Sequence, residues 1–142
     1  MPTDVLVAFD GSPLSKRALT YALETFPDAT ITTIYVINPL DSVIDVEAGG
    51  LPVAEDWHEK AQERAANIQT TAVDFAAEHG IDLDTVTEVG RPARVILDYA
   101  DDHDIDQIVM GSHGRSGIDR ALLGSVAETV IRRAWTPVTI IG

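Results

Sequence analysis

Strand-like and helix-like stretches take turns along this chain from end to end, and that alternation restricts its fold more than any other feature. Val5-Leu6-Val7-Ala8-Phe9 is a continuous apolar run, as expected of a strand buried on both faces of a parallel sheet. It breaks at Asp10-Gly11-Ser12-Pro13, where Ser12 as N-cap and Pro13 at the first helical position signal a helix start. Leu14, Ala18, Tyr21, Ala22 and Phe26 repeat at helical spacing until Pro27-Asp28. Ala29 to Ile37, rich in isoleucine, threonine and valine, reads as the second strand.

Asn38 to Asp56 contains Pro39, Gly49, Gly50 and Pro52 and no sustained period, which predicts a long connection. Trp57, Ala61, Ala65, Ile68, Ala72, Phe75 and Ala76 form the stripe of a second helix, stopped by His79-Gly80. Asp82 to Val89 is a more polar strand suited to a sheet edge. Gly90-Arg91-Pro92 starts a third helix carried by Ala93, Ile96, Leu97 and Ala100. Ile105 to Met110 reads as strand four, Ser125 to Ala134 as the last helix and Pro137 to Ile141 as the last strand. Ser125 with Glu128 fits an S-x-x-E capping box. The expectation is one domain, 1–142: an α/β three-layer sandwich around a five-stranded, mainly parallel sheet.

Between strand four and the last helix lies Gly111-Ser112-His113-Gly114-Arg115-Ser116-Gly117, continuing to Leu123-Gly124-Ser125-Val126. Glycines let backbone amides approach a ligand, and a helix N-terminus presents unpaired N–H groups with partial positive charge. The stretch therefore suits phosphate, although the same glycines serve an ordinary turn. It is not a Walker loop, for which no lysine follows a glycine at the required spacing, and no G-x-G-x-x-G follows the first strand. Ligands of open parallel sheets sit beyond the strands' carboxyl ends, where strand order reverses. Order 3-2-1-4-5 would put Asp10, as a ribose acceptor, and the glycine loop on one crevice.

Charge bears on what can bind. The chain carries 10 Lys and Arg against 23 Asp and Glu, a formal net charge of -13, and its only lysines are Lys16 and Lys60. Such a surplus argues against a nucleic-acid surface and resembles the acidic, lysine-poor composition of proteins from salt-loving cells. Residues 111–142 hold four arginines against Asp119 and Glu128, net +2, which leaves -15 on residues 1–110. In about 1 M salt the Debye length falls to ~3 Å, so local contacts outweigh that field. With no cysteine, thiol chemistry and disulfides are excluded. No secretory signal or membrane span is recognisable, so a soluble cytoplasmic protein is expected.

Gly111-x2-Gly114-x9-Gly124-Ser125 matches the G-x2-G-x9-G-[ST] signature of the nucleotide-binding branch of the universal stress protein family, which the chain resembles throughout. Val7-Ala8-Phe9-Asp10-Gly11-Ser12 resembles that family's first strand and turn, and Pro137-Val138-Thr139-Ile140-Ile141 its last strand. The resemblance implies an adenine-nucleotide alpha-hydrolase-like fold with strand order 3-2-1-4-5 and a homodimer paired through the last strand. It implies adenosine near Ala8, Asp10 and Val36, with main-chain atoms of Val36 meeting the base. Ribose and phosphates are implied at Met110, Gly111, Gly114, Arg115, Gly124, Ser125 and Val126. The implied ligand is ATP, or ADP or AMP, with Mg or Mn held through the phosphates and not by a protein cage. A regulatory or stress-tolerance role follows; a slow ATP hydrolase and a dimeric module without nucleotide are the alternatives.

Other candidates have plainer readings. His113 shapes the loop or touches phosphate. Asp101, Asp102, His103, Asp104 and Asp106 read as a solvated helix end and not a metal cluster. Arg132 and Arg133 complement the dipole of the last helix.

Overall fold

A computed structural model describes residues 2–40, 54–113 and 123–142. Its elements are β1 (Asp4–Ala8), α1 (Pro13–Thr25), β2 (Thr30–Ile37), α2 (Ala54–Glu78), β3 (Asp84–Val89), α3 (Pro92–Asp102), β4 (Gln107–Gly111), α4 (Ser125–Arg133) and β5 (Val138–Ile141). The sheet order is β3-β2-β1-β4-β5, as expected, and every neighbouring pair is parallel. The second helix begins at Ala54, earlier than the apolar stripe suggested, and most of the long connection, 41–53, lies outside the described residues.

The continuous apolar run of β1 is explained by its central place. Val5, Val7 and Phe9 pack with α1 and α2 on one face, where Ala18, Leu19, Ala22, Ile68 and Ala72 meet them. Leu6 faces the other way, into a cluster with Ile96 and Ala100 of α3 and Ala127 and Val130 of α4. Both faces of β1 are thus fully covered, at about 25 cal/mol for each Å² of apolar surface removed from water. At the edges, β3 is mostly exposed and β5 half-buried, which fits their positions. No helix among the described residues is long and apolar enough to cross a membrane.

The helix starts are where local chemistry and packing meet. Ser12 caps α1 as its sequence indicates, its hydroxyl accepting the Ser15 amide at 3.3 Å with Pro13 just inside. The capping box expected at Ser125 does not form. Gly124 is the N-cap of α4, Ser125 is its first helical residue, and no side chain caps it. Glu128 pairs instead with Arg132 at 2.9 Å.

Asp106, in the turn before β4, ties down the start of β1. Its carboxylate accepts the Thr3 hydroxyl at 2.7 Å and the Thr3 and Asp4 amides at 3.0 Å each. These bonds, the Thr3 hydroxyl first, hold its carboxyl below the usual range. A depressed folded-state value stabilises the fold fully above the unfolded pKa of about 3.9 and is lost as pH falls through the folded one. Asp106→Asn is therefore expected to be less stable than the parent at pH 6, with the gap closing below about pH 4. Urea unfolding across that range measures it; a gap independent of pH would contradict this role.

Candidate functional site

Strand order reverses between β1 and β4: the chain passes from β1 through β2 to β3 and then returns to place β4 on the other side of β1. A cleft of about 170 Å³ opens there, beyond the carboxyl ends of the strands. Ala8 and Asp10 enter it from the end of β1, Val36 from β2, Met110 and Gly111 from β4, and Val126 from the first turn of α4. Six residues singled out from the sequence are thereby brought together.

Gly124 and Ser125 are not among the residues that line the cleft. Gly124 is buried, its amide donating to the Ser112 carbonyl at 2.7 Å. Ser125 is exposed at the helix start. Gly114 and Arg115 lie outside the described residues.

The walls are apolar and the rim polar. Ile34, Val36, Ile96, Met110 and Val126 give flat hydrocarbon surface, while Asp10, Ser15 and His113 supply hydrogen-bonding groups. Asp10 Oδ1 accepts the Ser12 amide at 2.9 Å, which fixes the β1–α1 turn and directs its side chain locally. Gly11 next to it has φ +82°, the left-handed conformation that this turn requires.

Backbone groups complete the cleft. The Phe9 amide donates to the Ile34 carbonyl at 3.0 Å, so Ile34 turns its main chain toward β1. Alternation along β2 turns that of Val36 to the same side, past the point where β1 ends at Ala8. Among the described residues no backbone bond joins Val36 to the β1 segment, leaving a donor and an acceptor facing the opening. At the opposite wall, the first amides of α4 have no intrahelical partner, because the helix ladder begins with Glu128 N–H to the Gly124 carbonyl at 2.9 Å. That end carries the positive pole of the helix dipole.

The glycines also have a packing cause that needs no ligand. A Cβ at Gly111 would lie 2.9 Å from Leu14 Cβ, and one at Gly124 would lie 2.8 Å from the Ser112 carbonyl oxygen. Ser112 is itself anchored, its amide donating to the Ile141 carbonyl at 2.8 Å and its hydroxyl 3.1 Å from His113 Nδ1. His113 thus both shapes the loop and lines the cleft.

Sequence reasoning missed the wall built by α3. Pro92 and Ile96 reach the cleft although their local signals, a helix start and a core stripe, say nothing of a site. Among the described residues no three His, Asp or Glu side chains are placed to share a metal ion.

This arrangement has relatives. The profile described as the universal stress protein family matches residues 1–142. A universal stress protein of Methanocaldococcus jannaschii is 33% identical over 142 residues, covering 96% of this chain and 80% of its own. The crystal structure of a universal stress protein in complex with cAMP superposes with a TM-score of 0.73 at 28% identity, over 99% of this chain and 97% of that one. The structure of the Archaeoglobus fulgidus universal stress protein in complex with dAMP gives a TM-score of 0.69 at 26% identity, over 100% of this chain and 98% of its own.

Proposed function

We propose, because this chain belongs to the universal stress protein family and its strand ends converge on one cleft, that it binds an adenine nucleotide there and acts as a nucleotide-dependent regulatory or stress-tolerance protein. The observation that carries the reading is the convergence of Ala8, Asp10, Val36, Met110, Gly111 and Val126 on one apolar slot with a polar rim. The base enters between the apolar walls and meets the Val36 main chain, and Asp10 accepts from a ribose hydroxyl. Phosphates lie toward Gly111, Gly114, Arg115, Gly124, Ser125 and Val126, on the amide-rich start of α4. Relatives solved with cAMP and dAMP support the adenine class. ATP is the preferred form, with Mg or Mn riding on its phosphates. No side chain is assigned a catalytic role.

The same reading makes the protein a cytoplasmic homodimer with a salt-adapted acidic surface. β5 is an edge strand whose outer backbone groups need a partner, and Trp135 just before it is 92% exposed. Sedimentation velocity finding monomer at every concentration would remove this part.

Calorimetric titration with AMP and Mg-ATP, plus mass spectrometry of any ligand carried through purification, tests the central claim. Asp10→Ala is expected to weaken AMP binding by about 10-fold, the loss of one charge-assisted hydrogen bond. Folded protein that takes up neither nucleotide would end the proposal.

A further inference from the structure

The chain has two lysines, separated by 43 residues of sequence, and the fold delivers both to one groove. The groove, about 530 Å³, runs between α1 and α2, on the face of the sheet opposite α3 and α4. Lys16 stands on the α1 side. On α2, Lys60, Arg64, Asn67 and Thr71 follow one another at i, i+4, i+7 and i+11, a single helix face about 16 Å long. Glu63 is the only acidic residue among the described residues that line it.

Two lysines and an arginine against one glutamate give this groove a charge of +2 on a chain whose net charge is -13. Among the described residues none of the three cations forms an ion pair, whereas Arg94 and Arg132 are matched with Asp98 and Glu128. With 23 carboxylates in the chain, neutralising partners are plentiful, yet these cations face one another across a concave surface. Their mutual repulsion is relieved when an anion sits between them. Lysine ammonium and arginine guanidinium are the side chains that take phosphoryl oxygens, and the Asn67 amide adds a neutral donor along the line, while the Thr71 hydroxyl donates to the Asn67 carbonyl at 3.2 Å.

We propose that the α1–α2 groove is a second anion site, separate from the nucleotide cleft, that binds a small molecule carrying two or more linked phosphoryl groups through Lys16, Lys60 and Arg64. A nucleic acid is a poorer fit, because its long backbone would run beyond the groove onto a chain whose net charge is -13. The groove and the cleft share one border: Asp10 and Ser15 line the cleft, Gly11 and Lys16 the groove.

The scarcity of lysine makes the test direct. Reductive ¹³C-methylation keeps the charge and labels the two lysines and the N-terminus, whose signals are assigned with Lys16→Gln and Lys60→Gln. Inorganic tripolyphosphate is titrated at the lowest KCl concentration at which circular dichroism shows folded protein, with and without saturating AMP. Both lysine signals are expected to shift along one binding curve, unchanged by AMP. Each Lys→Gln variant weakens binding by about 5-fold and the double variant by about 25-fold. Arg17→Gln, on α1 but outside the groove, leaves it within about 2-fold. Loss of the shifts in AMP would place the probe in the cleft. That result, equal weakening by Arg17→Gln, or the absence of binding each overturns the proposal. Because the probe contains no base, failure of nucleotide binding leaves the result readable.

Discussion

Gly124→Ala is expected to destabilise the protein by about 2–4 kcal/mol and to weaken nucleotide binding by at least about 30-fold. The backbone angle at Gly124, φ −66°, is one any residue adopts, so the penalty is purely steric. The added methyl would meet the Ser112 carbonyl oxygen at 2.8 Å and His113 Cα at 3.1 Å, backbone atoms that cannot step aside alone. Relief requires the loop to withdraw from the start of α4, which breaks the 2.7 Å bond from the Gly124 amide to Ser112. Overpacking of this kind costs about 1–3 kcal/mol, and the lost hydrogen bond adds about 1 kcal/mol.

The same withdrawal moves His113 and Gly111, on one wall of the cleft, away from Val126 on the other. Stability and binding are therefore expected to fall together. Ser125→Ala separates this account from the capping-box alternative. A cap would lose about 1 kcal/mol, whereas an exposed first helical residue changes stability by less than about 0.5 kcal/mol. Denaturant unfolding and AMP titration of both variants decide the matter. A Gly124→Ala protein as stable and as tight-binding as the parent would refute the packing argument.

Much of this molecule is legible in its sequence because the signals involved are local. The run Val5 to Phe9 declares a doubly covered strand, and Ser12-Pro13 declares the start of α1; both stand as read. Of the six cleft residues, Asp10 and Gly111 were legible because chemistry at strand ends is confined by topology to the point of reversal, whereas Ala8, Val36, Met110 and Val126 came only from the family resemblance. What was not legible depends on partners distant in sequence. Gly124, and not Ser125, caps α4 because Ser112, from the end of β4, holds its amide. Ile96 looks like any core residue until α3 is laid beside the cleft. Lys16 and Lys60 show no relation in sequence until α1 and α2 pack together.

Gln69 is the clearest case, and it carries the second large expectation. A polar residue beside the apolar stripe of α2 reads as solvent-facing, yet Gln69 is 6% exposed and Thr33 of β2 is 0% exposed. The Thr33 hydroxyl donates to Gln69 Oε1 at 2.7 Å, while Gln69 Nε2 donates to the Val86 carbonyl of β3 at 2.9 Å. One side chain thus fastens α2 to two strands. Gln69→Leu leaves the Thr33 hydroxyl without its acceptor and removes the donor to Val86, an expected loss of about 2–3 kcal/mol. Thr33→Val leaves Gln69 Oε1 without its donor and is expected to cost about 1–2 kcal/mol. Unmet polarity and not lost contact area dominates both losses, so removing both partners restores the part that belongs to the Thr33–Gln69 bond. The double variant, in which the Val86 carbonyl still lacks its donor, is expected about 1–2 kcal/mol below the parent, a coupling of roughly 2–3 kcal/mol. Urea unfolding of the four proteins completes the cycle, and additive single losses would show that Gln69 and Thr33 contribute independently.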